Sequence, residues 1–150
     1  MMYDHDWICS KIPHKGKMCL LDRVARWNET EIVCRATSHL SPDNPLRHQG
    51  GLGISNGIEY AAQAMAVHGA LCAASADPPR AGYLTSVRNV TWSRNRLDLL
   101  TGEIEVRAER ISGNESNVLY SFGIFFGEEM LISGRASVLL DAAAVQGEKS

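Results

Sequence analysis

Four side chains in the middle of this 150-residue chain offer a carboxyl, an amide and two imidazoles: Glu59, Gln63, His39 and His48. Glu59 and Gln63 are four residues apart, so a helix would put both on one face. Imidazole is mostly neutral at pH 7 and can take a proton. A carboxyl enclosed by apolar groups has its pKa raised and can keep a proton to donate. Backbone N–H groups over Gly53 to Gly57, at the start of that helix, could hold developing negative charge with little side-chain obstruction. Each residue also has a plainer reading. Asn56-x-x-Glu59 fits a capping box, and on the residues alone that reading is favoured for Glu59. His39 could be a strand-end histidine facing solvent, His48 a polar loop residue, and Gln63 a buried amide bonding a neighbouring carbonyl. His68, two turns beyond Glu59, reads as a core or interface histidine.

The element that must position Glu59 is the stretch from Ile54 to Ala74, which is rich in alanine and free of proline. It predicts a long helix, with Ser55 or Asn56 as cap. Small or apolar residues on nearly every face predict that it is buried on most sides. Glu59 and Gln63 in its first half, with no basic cluster at its ends, argue against a membrane span. Upstream, Cys19 to Trp27 and Glu31 to His39 read as two strands joined by a turn at Asn28–Thr30. Ser41 to Gly53, with two prolines and three glycines, reads as loop. After Asp77-Pro78-Pro79 the period changes to two. Gly82–Trp92, Gly102–Ile111, Asn117–Phe126 and Glu129–Leu140 read as strands, with turns at Gly113-Asn114 and Gly127-Glu128. A short helical turn is expected within Met1–Ile12.

This order gives an α+β class in which an antiparallel sheet curls around one long central helix, so that both bury their apolar surface. The exposed sheet edge predicts dimerisation by edge pairing. The expected organisation is a single domain over residues 1–141 followed by a frayed tail at 142–150. A net charge of −2 with scattered basic residues leaves no nucleic-acid footprint. The first residues do not read as a signal peptide. The four cysteines, Cys9, Cys19, Cys34 and Cys72, form no CxxC pair and match no secreted disulfide framework. A reducing cytoplasmic location is therefore expected. His5, Cys9, His14 and Cys19 can be drawn as zinc ligands, but their spacing matches no known knuckle. Cys34 and Cys72 read as small buried residues rather than nucleophiles, and Asp22 and Arg23 as a surface or hairpin ion pair.

Ile12-Pro13-His14-Lys15 followed by Leu20-Leu21-Asp22-Arg23-Val24, and then Gly57-Ile58-Glu59-Tyr60-Ala61-Ala62-Gln63-Ala64-Met65-Ala66, resemble the 3-hydroxyacyl-[acyl-carrier-protein] dehydratases. The second motif is most similar to the branch associated with aryl-polyene pigment synthesis. The resemblance implies a hot-dog fold and a homodimer or a heterodimer with another hot-dog subunit. It implies dehydration of a 3-hydroxyacyl thioester carried on the phosphopantetheine of acyl carrier protein, with no metal, no redox cofactor and no membrane. It implies a histidine base from one subunit and an acid from the other's central helix. On this sequence the acid is Glu59 and the base His39 or His48, with Gln63, Gly53 and Gly57 around the substrate. His14 takes a structural or entrance role. The loop ahead of the helix acid is several residues longer than in better-known members, and His39 precedes Asn44-Pro45 with one extra residue between. A non-catalytic subunit of a dehydratase complex and an acyl thioesterase, which the same architecture hosts, are the alternatives.

Overall fold

A short helix, α1 (His5–Lys11), opens the described chain, capped by the Asp4 carboxylate accepting from the Trp7 N–H at 2.9 Å. The structure is a computed structural model, and it describes residues 3–12, 16–73, 82–114 and 116–140. The expected tail, the Asp77-Pro78-Pro79 break, and Pro13, His14 and Lys15 of the first motif lie outside the described residues.

Strands β1 (Arg23–Trp27) and β2 (Glu31–Ala36) form a hairpin. At its turn Asn28 Oδ1 accepts from the N–H of Thr30 (2.8 Å) and of Glu31 (2.9 Å), so an asparagine side chain replaces backbone pairing there. Both strands are shorter than the sequence suggests. Cys19, Leu20 and Leu21 precede β1 without strand pairing, although all are buried, and backbone pairing with β2 begins at the Asp22 N–H, which donates to the Arg35 carbonyl at 2.8 Å. Ser38–Leu40 winds into a 3-10 turn rather than extending β2.

The central helix, α2 (Gly57–Cys72), follows a single 3-10 turn at Ile54–Asn56, so the regular helix is shorter than the 54–74 expected. Asn56 does not cap it. Its Nδ2 instead donates back to the Gly53 carbonyl at 3.1 Å. The capping-box reading of Glu59 therefore lacks its first half. Tyr60, Ala61, Gln63, Ala64, Met65, Val67 and His68 of α2 are buried. Gly57 lets the helix start press on the sheet: a Cβ there would meet Ile132 Cγ2 at 3.0 Å and Ile124 Cγ1 at 3.2 Å.

Strands β3 (Gly82–Trp92), β4 (Ile104–Gly113), β5 (Asn117–Phe126) and β6 (Glu129–Leu140) complete a six-stranded antiparallel sheet of order β1-β2-β4-β5-β6-β3. In β4, Ile104, Val106 and Ala108 are buried while Arg107 and Glu109 are exposed, as a sheet with one covered face requires. Helix α2 packs on β2, β4 and β5 at the middle of the sheet. The core forms between them, from Ile32, Cys34, Ala61, Ala64, Val106, Ile124 and Ile132 among others. Burial with no charged neighbour pushes the Cys34 thiol up to about 12, so it is inert packing. No helix among the described residues is long and apolar enough to cross a membrane.

Candidate active site

Glu59 lies in the first turn of α2 and is half-buried. Gln63, one turn on, holds one of its oxygens. The fully buried Gln63 amide donates to Glu59 Oε2 at 3.2 Å and to the Met18 carbonyl at 2.6 Å, and its Oε1 accepts from the Leu20 N–H at 2.9 Å. Both readings of Gln63 therefore hold at once. It satisfies backbone groups of the segment before β1, and it holds one oxygen of the acid. The strand-less course of residues 18–20 follows from this, because two of their backbone groups pair with a side chain of α2 instead of a neighbouring strand.

His39 is fully buried in the 3-10 turn after β2, not facing solvent at a strand end. Its Nε2 lies 2.9 Å from the Leu100 carbonyl oxygen. A carbonyl only accepts, so Nε2 carries the proton and Nδ1 the lone pair. Nδ1 is buried without a hydrogen-bond partner among the described residues. Burial lowers the His39 pKa, partly opposed by the backbone hydrogen bonds, and the ring is neutral at pH 7. A buried imidazole with an unsatisfied basic nitrogen is a costly arrangement that concentrates at functional positions.

The His39 turn is fastened to the helix by a chain of hydroxyls that sequence reasoning missed. Ser38 Oγ donates to the Leu20 carbonyl (2.8 Å) and lies 2.7 Å from Tyr60 Oη, which also accepts from Asn44 Nδ2 at 3.1 Å. Asn44 Nδ2 reaches the Ser38 carbonyl as well, at 2.9 Å. Burial pushes the Tyr60 hydroxyl above its ordinary range despite these bonds. Tyr60 follows Glu59 directly, so this cluster fixes the His39 turn beside the residue next to the acid. The one sequence signal for it was a tyrosine in an alanine-rich helix, whose hydroxyl needs a partner when buried.

The hydrogen bonds of the described residues link Glu59 to Gln63 and His39 to Leu100, not the two to each other. His48 is exposed at the end of a tight hairpin, its N–H and C=O both paired with Gly51 (2.9 and 3.1 Å). Gln49 and Gly50 take positive φ between them (52° and 79°). Gly53 precedes the 3-10 turn, whereas Gly57 is packed against Ile132 and Ile124 of the sheet; the N–H groups of Ile54, Asn56 and Gly57 already donate to the Asn95, Gly53 and Ile54 carbonyls, so the expected run of open donors over Gly53–Gly57 does not form. His68 is buried, with Nδ1 2.7 Å from Tyr120 Oη and Nε2 2.8 Å from the Asn28 carbonyl, a satisfied core histidine.

Three further expectations are corrected. Cys72, read as a small buried residue, is exposed at the end of α2. Arg23 pairs with Glu103 at 2.6 Å, and Asp22 accepts from Thr37 Oγ1 at 2.8 Å, so the neighbours do not pair with each other. Cys9 and Cys19, read as unpaired, are joined by a disulfide from α1 to the segment before β1. Ten residues of separation carry no motif, and only the tertiary packing of α1 brings the two sulfurs together.

A curled antiparallel sheet around one buried helix, with a carboxylate in the helix's first turn, defines the class as a hot-dog domain. Solved structures agree. The dehydratase heterocomplex ApeI:P from Xenorhabdus doucetiae superposes with a TM-score of 0.76 at 22% identity, covering 95% of this chain and 97% of that one. Thioesterase HI1161 from Haemophilus influenzae gives 0.57 at 14% identity, covering 79% and 77%. A mutant of the thioesterase SAV0944 from Staphylococcus aureus gives 0.58 at 15%, covering 79% and 91%. A search of curated proteins returned no match. The family model described as ApeP dehydratase matches residues 8–146, and the chain belongs to that ApeP-like dehydratase family.

Proposed function

We propose that this chain dehydrates 3-hydroxyacyl thioesters carried on acyl carrier protein, in a polyene or fatty-acid-like synthesis in the cytoplasm, as one half of a hot-dog dimer. The observation that carries the reading is the Gln63–Glu59 pair: an acid in the first turn of a buried helix, aimed by an amide that is itself pinned to backbone. Loss of water from a 3-hydroxyacyl thioester requires a base for the proton alpha to the carbonyl and an acid for the departing hydroxide. Glu59 supplies the acid and Nδ1 of neutral His39 the base, with His48 the alternative. Gln63 orients the acid toward the hydroxyl. No resident metal or redox cofactor enters this scheme. The exposed edge strand β3, with Tyr83, Leu84 and Trp92 outward, supports pairing with a second hot-dog subunit.

A second reading, a non-catalytic partner subunit, is favoured by the complete burial of His39 and the exposure of His48. One experiment separates them. Purified chain, alone and mixed with a second hot-dog subunit, is given a 3-hydroxyacyl thioester on acyl carrier protein, and the enoyl product is followed by intact mass. The proposal expects product that Glu59→Gln and one of His39→Ala or His48→Ala abolish. Unchanged turnover by all three variants in the assembled complex would establish the scaffold role. Release of free thiol without an enoyl species would mark a thioesterase instead.

A further inference from the structure

The cluster that the dehydration chemistry leaves unused lies where α1 meets the segment before β1. His5, Cys9 and Cys19 bring one imidazole nitrogen and two sulfurs within 4.8 Å of one another. We propose that, with the Cys9–Cys19 disulfide reduced, these three residues bind one zinc ion as a site stapling α1 to the chain ahead of β1. The inference is independent of the dehydratase reading.

The geometry has three parts. First, His5 is already in the tautomer a metal ligand needs. Its Nδ1 lies 2.9 Å from the Leu21 carbonyl oxygen, so Nδ1 carries the proton and Nε2 the lone pair. A ligating histidine commonly donates its other N–H to a backbone carbonyl in this way. Second, Nε2 stands 3.4 Å from Cys9 Sγ. A thiolate and an imidazole nitrogen bound at tetrahedral angles to one zinc are about 3.5 Å apart. His5 and Cys9 reach this spacing because they are one helical turn apart on α1. Third, the Cα atoms of Cys9 and Cys19 are 5.8 Å apart, close enough for both sulfurs to turn toward a common ion once the bond between them is gone. Cys19 Sγ lies 4.0 Å from His5 Nδ1, the nitrogen bonded to Leu21, so once the disulfide is open this sulfur turns toward Nε2 to join the ion.

The cluster opens on a pocket of about 410 Å³, lined by His5, Lys17, Cys19, Asp43 and Asn44 among others, from which a solvent oxygen completes the fourth position. Two soft thiolates with an imidazole suit zinc rather than calcium or magnesium, which prefer oxygen. The chemistry balances in two steps. A dithiol reductant gives two electrons and two protons to the disulfide, leaving two thiols and an oxidised dithiol. Zinc then displaces both thiol protons, which leave to solvent.

The test uses the whole chain, reduced with a dithiol and freed of it under nitrogen. Cobalt(II) serves as a spectroscopic probe for zinc, and zinc itself is counted by native mass spectrometry. The expected result is one ion per chain, a thiolate-to-cobalt charge-transfer band in the near ultraviolet, bleaching of that band by zinc, and a rise in Tm reversed by a chelator. Cys9→Ser and His5→Ala, both on the surface of α1, should remove the band and the Tm response while leaving the circular dichroism of the fold intact. Absence of stoichiometric cobalt binding by the reduced chain would overturn the proposal. So would a charge-transfer band that survives Cys9→Ser, since Cys34 or Cys72 would then be the ligand. None of these readouts depends on turnover, so a failed dehydratase assay leaves the result intact.

Discussion

Replacing Gln63 with leucine tests the central piece of the site, because its three hydrogen bonds differ in what they protect. The Leu20 N–H loses its acceptor in a fully buried setting, and the Met18 carbonyl loses its donor in a part-buried one. An orphaned buried backbone group costs about 1–3 kcal/mol, with the part-buried carbonyl at the low end. Leucine recovers about 1 kcal/mol through its extra apolar surface. The net loss expected is about 1–3 kcal/mol, read as a shift in the urea midpoint at unchanged m-value. For a chain of this size, that corresponds to a fall in Tm of about 2–12 °C. Gln63→Glu is the companion variant. One carboxylate oxygen still accepts from the Leu20 N–H, but the donor to Met18 and Glu59 is gone, and two carboxyls now face each other. Like charges that close cannot both ionise easily, so the pair should take up a proton at higher pH than either acid alone. The pH–rate profile of the assembled enzyme should show that shift. A Gln63→Leu protein within 1 kcal/mol of wild type would refute the claim that this amide holds residues 18–20 against the helix.

Two other outcomes follow from the packing and from the buried imidazoles. Gly57→Ala gains helix propensity but drives a methyl onto Ile132 and Ile124 at 3.0 and 3.2 Å, so a net destabilisation of about 1 kcal/mol is expected by chemical denaturation. A more stable variant would show that the sheet yields there. Burial lowers the pKa of both His39 and His68 below the ordinary 6.5. The unfolded chain therefore binds protons first as pH falls, and stability present above about pH 6.5 should decline progressively below it. Denaturant midpoints at pH 7.5 and 5.5 check this, and His68→Gln should flatten part of the slope.

Three strands were readable from sequence to the residue, Gly82–Trp92, Asn117–Phe126 and Glu129–Leu140, while the strand expected at Gly102–Ile111 runs two residues later, from Ile104 to Gly113. The buried character of the central helix was readable too, because alanine and glycine on every face leave no solvated side. What failed was wherever a side chain replaced a backbone partner. Cys19-Leu20-Leu21 has the apolar content of a strand, yet Gln63, over forty residues away, takes the Leu20 N–H and the neighbouring Met18 carbonyl. Asn56 fits a cap by spacing, but its amide found a nearer carbonyl at Gly53. Burial of His39 depends on the Leu97–Leu100 turn folding over it, a contact of sixty-one residues' separation that no local pattern encodes. Residue types at the candidate site were therefore legible, while the contacts that orient them were not.

The partners of Gln63 are main-chain atoms, and this determines which changes the site can absorb. Substituting residue 18 or 20 leaves the same amide and carbonyl in place. Inserting or deleting a single residue between β1 and α1 would present different atoms to the glutamine and swing the acid out of line. For this contact the length of the stretch ahead of the first strand therefore matters more than which apolar residues fill its buried positions.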